Sequence, residues 1–361
     1  MFKKILSVVT VVLVVVIGYA VFTEMVEVDG TMMTMAQATM YSLGQLDVWL
    51  LFLLIPEQIL MYYCAGQIYF AFLRARQGIK VTQGNLTRVS LEINFVNHAL
   101  PSAGVSGLGY LIWRLRSFKI TPGQVSFIHI LRYMISAVAN IVQTWVALVV
   151  VLITGTVIAG GEWAVWVAAG MTVGMVTGLF VAWLIVRSQR AVEWFAEWAS
   201  KIINRLVRWF TRGRKRVFLR EESVNNYFSD LRGDYLAIKR NKGILKKPMM
   251  WGVGFAFLEV ATYWIVAIAM GHPEILPQIM IAEGVASMVG VLMVTPGGVG
   301  GYEGVMIAMM VALGVDLSTA TIVVIVTRMM VLLGTFISGW GFYQQALLSR
   351  EDKFNPKEKE N

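Results

Sequence analysis

Two arginines stand where a charged side chain is expensive. Arg132 lies in "HILRYMIS" and Arg328 in "VIVTRMMV", each inside a long apolar run. Of the 31 Lys and Arg residues, only these two fall inside an apolar span. A guanidinium at the centre of a bilayer costs roughly 3 kcal/mol on insertion scales, so each needs a partner or a wet cavity. The forked guanidinium also suits a phosphate, which it can grip through two parallel N–H bonds. Paired arginines at membrane depth therefore point to an anion site. The structural alternatives are a buried Arg–Glu pair or an arginine on half-helix carbonyls. Glu57, Glu259, Glu283 and Glu303 are the candidate counter-charges, and Glu57, Glu92, Glu259 and Glu283 are candidate proton sites.

Two Gly-rich stretches lie upstream of these arginines. "AGVSGLGY" (103–110) aligns with "GGVGGYEG" (297–304), pairing Gly104 with Gly298 and Gly107 with Gly301. Each follows a proline, Pro101 or Pro296, and each segment has an acid near its start, Glu92 or Glu283. Gly297, Gly300 and Glu303 belong to the second stretch alone, and Gly109 aligns with Glu303. Glycine lets the backbone approach a headgroup or a facing helix closely; close packing alone is the plainer reading. Ser102 and His98, with Asn94, Asn97 and Ser106, are candidates to face the same cavity, although a lone His inside a membrane is more often a hydrogen-bonded packing residue.

The elements that must position these residues follow from composition and charge. The chain has 361 residues, 57% hydrophobic and 15% charged, against an ordinary apolar share of about 45–50%. Apolar runs cover 5–23, 46–73, 121–153, 163–186, 248–271 and 317–344, close to or above the ~20 residues a helix needs to cross a bilayer. The first reads as an uncleaved span, because "IGYA" meets the small-x-small cleavage rule only loosely.

Positive charge marks cytoplasmic loops. Segments 24–45, 154–162 and 272–278 carry no Lys or Arg, whereas the connection 187–247 carries 16 against 6 acids. A single crossing at 89–113 would put Arg114, Arg116, Lys119 and that whole connection outside. If 89–113 dips in and returns to the cytoplasm, every loop obeys the rule. Segment 279–314 must likewise enter from the outside and return, or the basic tail would lie outside. Broken backbone at membrane depth is tolerated where protein or a wet cavity covers it.

The expected fold is an all-α polytopic membrane protein with six full transmembrane helices and two re-entrant helical hairpins in an inverted-topology repeat. Such repeats place their binding site near the midplane. Eleven residues, about 16 Å at 1.5 Å per residue, separate the start of each long helix from its arginine. Counted from opposite faces, both arginines come out near the bilayer centre. The expected divisions are 1–186, with hairpin 89–113; the basic connection 187–247; 248–347, with hairpin 279–314; and a charged tail, 348–361. Both termini are expected in the cytoplasm, at the cell membrane. Within the connection, "VEWFAEWASKIINRLVRWF" (192–210) reads as an amphipathic helix on the membrane surface, with "RGRKR" (212–216) near anionic headgroups. Gly170, Gly174 and Gly178 form a small-xxx-small stripe expected to pack against a neighbouring helix.

Other chemistries find little support. A single cysteine, Cys64, excludes an intrachain disulfide. Three histidines without an HExxH motif argue against zinc, and no GxxxxGK[ST] suggests ATP as the energy source. No catalytic residue, metal, cofactor or nucleic-acid partner is expected.

The features "LPSAGVSGLGY" and "TPGGVGGYEG", the second followed by "ALGV" and a helix with one arginine, resemble the lysylphosphatidylglycerol synthase transmembrane-domain family of flippase-like proteins. The resemblance covers roughly residues 1–347, and the proline, Gly cluster, aromatic and Glu303 are its more specific part. It implies a lipid translocator, with Gly297, Gly298, Gly300, Gly301, Glu303 and Arg328 as motif positions. In bifunctional members a soluble aminoacyltransferase follows; this sequence is expected to lack it, which leaves the substrate open. The expectation is a flippase-like transporter of a phosphate-bearing lipid, either an anionic phospholipid or a polyprenyl-phosphate glycolipid. A homo-oligomer is compatible with it. The alternatives are a proton-coupled or passive transporter of a small anionic solute, and a membrane-embedded enzyme acting on a lipid phosphate.

Overall fold

The computed structural model describes residues 25–28, 31–34, 46–78, 83–99, 105–154, 161–187, 221–292 and 300–348, with Thr23, Gln37 and Tyr41. The expected first span 5–23 therefore falls outside the described residues except for Thr23. The amphipathic stretch 192–210, the basic cluster 212–216 and the tail from 349 lie outside them as well.

An antiparallel pair, β1 (Met25–Val28) and β2 (Thr31–Thr34), opens the described chain, with Met25 opposite Thr34. The described elements that follow are all helices, as backbone in lipid must be to satisfy its own N–H and C=O groups. The first long element is α1 (Val48–Leu51) running into α2 (Leu54–Gln77). It stops at Gly78, whose φ of 64° is the left-handed cap that glycine takes without strain. Two shorter helices, α3 (Gln83–Ala99) and α4 (Val105–Leu115), flank the first Gly-rich tip. Then come α5 (Pro122–Thr154), α6 (Gly161–Arg187) and α7 (Glu221–Arg240). The second half has α8 (Lys246–Ala269), the shorter pair α9 (Leu276–Leu292) and α10 (Gly301–Ala312), and α11 (Leu317–Leu348).

Among the described residues four stretches are long and apolar enough to cross a membrane: Val48–Arg76, Pro122–Ile153, Lys242–Ala269 and Leu317–Leu348. They coincide with four of the six apolar runs read from the sequence. The run at 163–186 is helical as α6, with Val165–Gly178 a shorter apolar helix by the same measure.

The packing crosses between the two halves. α2 lies along α8, α3 lies against α11, and α9 lies against α5. Each short-helix pair thus leans on the long helix of the other half. The approach is close: a Cβ on Gly339 of α11 would stand 2.7 Å from Phe95 Cβ and 2.8 Å from the Leu91 carbonyl oxygen of α3. On the other side, a Cβ on Gly284 of α9 would meet Thr144 Oγ1 of α5 at 2.7 Å. The apolar core follows the same division. One body gathers Phe72, Leu73, Phe95, Leu111 and Ile128 around α3 and α4, and the other gathers Ile279, Ile281, Met306, Met310 and Val323 around α9 and α10.

α7 packs on α5, and its Asp234 is bridged to Arg76 of α2 at 3.2 Å. Burial pushes the Asp234 carboxyl up, and the Arg76 guanidinium pulls it back. The expected packing stripe of α6 meets no neighbour among the described residues. Gly170, Gly174 and Gly178 are exposed, and nothing among the described residues lies within 4 Å of a Cβ built on any of them. Small residues permit a close neighbour without supplying one, and α6 meets α5 and α9 through its other residues.

Two glycines of similar sequence appearance should therefore respond oppositely to alanine. Gly339→Ala should cost about 1–3 kcal/mol by overpacking against backbone. Gly174→Ala should cost nothing, and adds up to about 1 kcal/mol of helix propensity. Thermal unfolding of both variants in one detergent checks this.

Candidate functional site

Sequence spacing put Arg132 and Arg328 at similar depth, and the fold brings them into one cavity. Its volume is about 100 Å³, and its lining includes Tyr62 and Tyr69 from α2, Asn94 and His98 from α3, Arg132 from α5, Phe255 and Glu259 from α8, and Arg328 from α11. Five helices contribute, so the cavity exists only once both halves have packed.

The two arginines are held differently. Arg328 is ion-paired with Glu303, Nε to Oε1 at 2.5 Å, and stacks over the Tyr302 ring at 4.7 Å. Glu303 also accepts the Gly300 N–H at 2.7 Å. That carboxylate closes the first turn of α10, where four N–H groups lack helical partners and a negative charge is favoured. Gly300 adopts φ 89°, which a side chain rarely tolerates. The "GGYEG" motif is thus a helix start whose Glu reaches across to α11.

Arg132 makes no ion pair with any described residue. One N–H of its guanidinium donates to Tyr69 Oη at 3.0 Å, and the guanidinium lies over the Tyr69 ring at 5.2 Å and the Phe255 ring at 5.8 Å. A guanidinium has five N–H donors; among the described residues, Tyr69 takes one. Tyr69 Oη also shares a hydrogen bond with His129 Nδ1, 3.2 Å away. Aromatic faces hold the guanidinium in place without neutralising it.

The remaining polar lining is organised from α3. Asn94 donates to Tyr62 Oη at 3.1 Å and to Thr335 Oγ1 at 3.3 Å, and Tyr62 bonds Thr335 directly. His98 Nδ1 lies 2.8 Å from the Asn94 carbonyl oxygen. A carbonyl only accepts, so Nδ1 carries the proton and neutral His98 keeps Nε2 as an acceptor.

The carboxylates separate clearly. Glu259 lines the cavity and makes no hydrogen bond or ion pair with a described residue. Glu92 is fully buried and consumed: Arg88 at 3.0 Å, Arg114 at 2.9 Å and Tyr110 Oη at 2.7 Å all bond it. It ties α3 to α4. Glu283 is fully buried too, bonded by Gln143 Nε2 at 2.5 Å and by Ser287. It ties α9 to α5. Glu57 is buried in the first turn of α2 and does not line the cavity.

Gly107 serves packing: its N–H donates to Asn97 Oδ1 at 3.0 Å, and a Cβ there would stand 2.2 Å from that oxygen. Gly301 is the first residue of α10. Gly104, Gly297, Gly298 and Ser102 lie outside the described residues. Sequence reading did not single out Tyr69 or Phe255, while Tyr302 is the aromatic of the second Gly-rich motif. Tyr62 and Tyr69 stand seven residues apart, two helical turns on one face, which was the available signal for Tyr69. Phe255 on α8 carried none.

A family model described as "Lysylphosphatidylglycerol synthase TM region" matches residues 6–339. Neither the curated proteins nor the solved structures contain a match.

The two arginines should part in stability. Glu303→Gln leaves Arg328 buried without its counter-charge and should cost about 3–5 kcal/mol. Arg132→Ala breaks one hydrogen bond, worth about 1.5–3 kcal/mol at most for a charged donor, and removes the desolvation cost of a charge. Thermal unfolding in detergent should place E303Q well below wild type and R132A near it. Equal losses would mean that Arg132 is also a structural residue.

Proposed function

Because the chain belongs to the lysylphosphatidylglycerol synthase transmembrane-region family, we propose that it moves a phosphate-bearing lipid across the cytoplasmic membrane. The headgroup occupies the Arg132–Arg328 cavity while the tails stay in the bilayer. The framework is the six-span architecture, in which α3–α4 and α9–α10 are re-entrant hairpins entering from opposite faces and both termini are cytoplasmic. The crossed packing of α3 on α11 and α9 on α5 supports this inverted repeat. So does the placement of Arg132 and Arg328 in the lining of one cavity, each eleven residues from the start of its apolar run.

One observation carries the reading. Arg132 lines a cavity at membrane depth, fixed by two aromatic rings and one hydroxyl, with no carboxylate of the described residues in ion-pair reach. A protein that needed the arginine only for packing would pair it with a carboxylate, as Glu303 pairs with Arg328. A guanidinium held by its face keeps its edge for a bidentate anion. The phospholipid phosphodiester and the polyprenyl phosphate both supply that chemistry.

A second reading rests on the cavity's size. About 100 Å³ suits a phosphate group better than a whole lipid headgroup, which favours a small anion carried by the same repeat. In the lipid reading the same size means that the halves separate to admit the rest of the headgroup.

Reconstitution separates the two. With headgroup-labelled anionic phospholipid in both leaflets, wild type should expose the inner label to an impermeant quencher. Arg132→Ala should slow this by about 10–100-fold, the equivalent of one charge-assisted hydrogen bond. Arg132→Lys should recover part of the rate, as a point charge without the fork. Uptake of radiolabelled phosphate with no lipid movement would select the small-anion reading. Equal lipid rates in wild type and R132A would take Arg132 out of the mechanism.

A further inference from the structure

The cavity contains more charge than an anion site needs. Arg328 is already matched by Glu303, so the charges that remain are Arg132 and Glu259. Before an anion enters, Glu259 offsets the charge of Arg132 across the cavity without an ion pair. An entering phosphodiester puts two anions beside one cation in a place shielded from water, where like charges repel strongly. One of the two must become neutral. The phosphodiester is too strong an acid to take up a proton, whereas a carboxylate can.

We propose that Glu259 binds a proton as the anionic headgroup enters, and that proton and headgroup cross the membrane together. The proposal rests on reading the cavity as a headgroup site and adds the coupling ion to it. On the loading side, a proton from water bonds a Glu259 carboxylate oxygen. The N–H edge of Arg132 then turns to the phosphodiester oxygens. On the opposite side Glu259 returns the proton to water and again balances Arg132 as the headgroup leaves. One proton and one monoanion cross together, so no net charge moves.

Geometry selects Glu259 from the four membrane carboxylates. Glu92 is held by two arginines and a tyrosine, and Glu283 by Gln143 and Ser287. A proton on either would break bonds that hold α3 to α4 or α9 to α5. Glu57 does not line the cavity. Glu259 faces it with no hydrogen bond from a described residue to lose. The groups facing it come from every surrounding helix: Glu57, Tyr62 and Tyr69 from α2, His98 from α3, Arg132 from α5, Glu283 from α9 and Arg328 from α11. Tyr263 lies one turn along α8 itself, with Tyr302 and Glu303 of α10 beyond it. Neutral His98 presents an acceptor, Nε2, to the same space and is the other group on which a proton could rest.

The test uses the full chain in phosphatidylcholine liposomes with a trace of fluorescent phosphatidylglycerol and a pH dye inside. Wild type should move the label faster as the loading side is acidified, over the range in which the protein stays folded. Label moving inward should acidify the interior, and clamping the membrane potential at zero should leave the rate unchanged. Glu259→Gln should move label at a rate that no longer varies with pH and without acidification. Glu57→Gln, which lies outside the cavity lining, should keep both responses. A pH-independent wild type, a rate driven by membrane potential, or pH dependence that survives in E259Q would overturn the coupling and leave the headgroup site standing. Loss of the pH dependence in His98→Gln, with E259Q keeping it, would overturn the choice of Glu259. Lipid movement indifferent to Arg132→Ala would overturn the headgroup reading, and this proposal with it.

Discussion

The cost of a charge inside the membrane is the constraint on which this structure turns. Arg132 and Arg328 are each expensive at that depth, and the surrounding helices answer in two ways. Arg328 receives a carboxylate, Glu303, from a helix start whose own N–H groups need an acceptor, so one side chain meets two requirements. Arg132 receives aromatic faces and a tyrosine hydroxyl, which hold it without cancelling its charge. The difference between these two solutions is the basis of the functional reading.

The other buried charges obey the same constraint for a different purpose. Glu92 sits among Arg88, Arg114 and Tyr110 and closes α3 onto α4. Glu283 meets Gln143 and Ser287 and closes α9 onto α5. Removing one member of such a set leaves uncompensated charge in a dry place, so these groups act as rigid joints. The two joints differ in reach: Glu92 closes a helix pair within the first half, whereas Glu283 ties α9 of the second half to α5 of the first.

Much of this was legible in the chain, and particular residues show where legibility stopped. The long helices follow from uninterrupted apolar runs. The arginines were conspicuous because charge is rare in such runs. The stripe Gly170, Gly174 and Gly178 has the spacing of a packing face, and the described neighbours of α6 lie elsewhere. Gly339, with no pattern to mark it, is the glycine on which α3 and α11 meet. Tyr69, the residue that holds Arg132, looked like any other aromatic in an apolar run.

The sequence by itself determined which segments are helices and which residues carry charge into them, because both depend on local composition and on the period of one helix. It left four glutamates equivalent. Glu57, Glu92, Glu259 and Glu283 are the same residue type in similar apolar surroundings along the chain. Tertiary packing alone made Glu92 and Glu283 joints, set Glu57 apart and turned Glu259 into a cavity lined by five helices. The deciding partners on other helices are Arg114 and Tyr110 for Glu92 and Gln143, 140 residues away in the chain, for Glu283. No local pattern encodes a contact of that range.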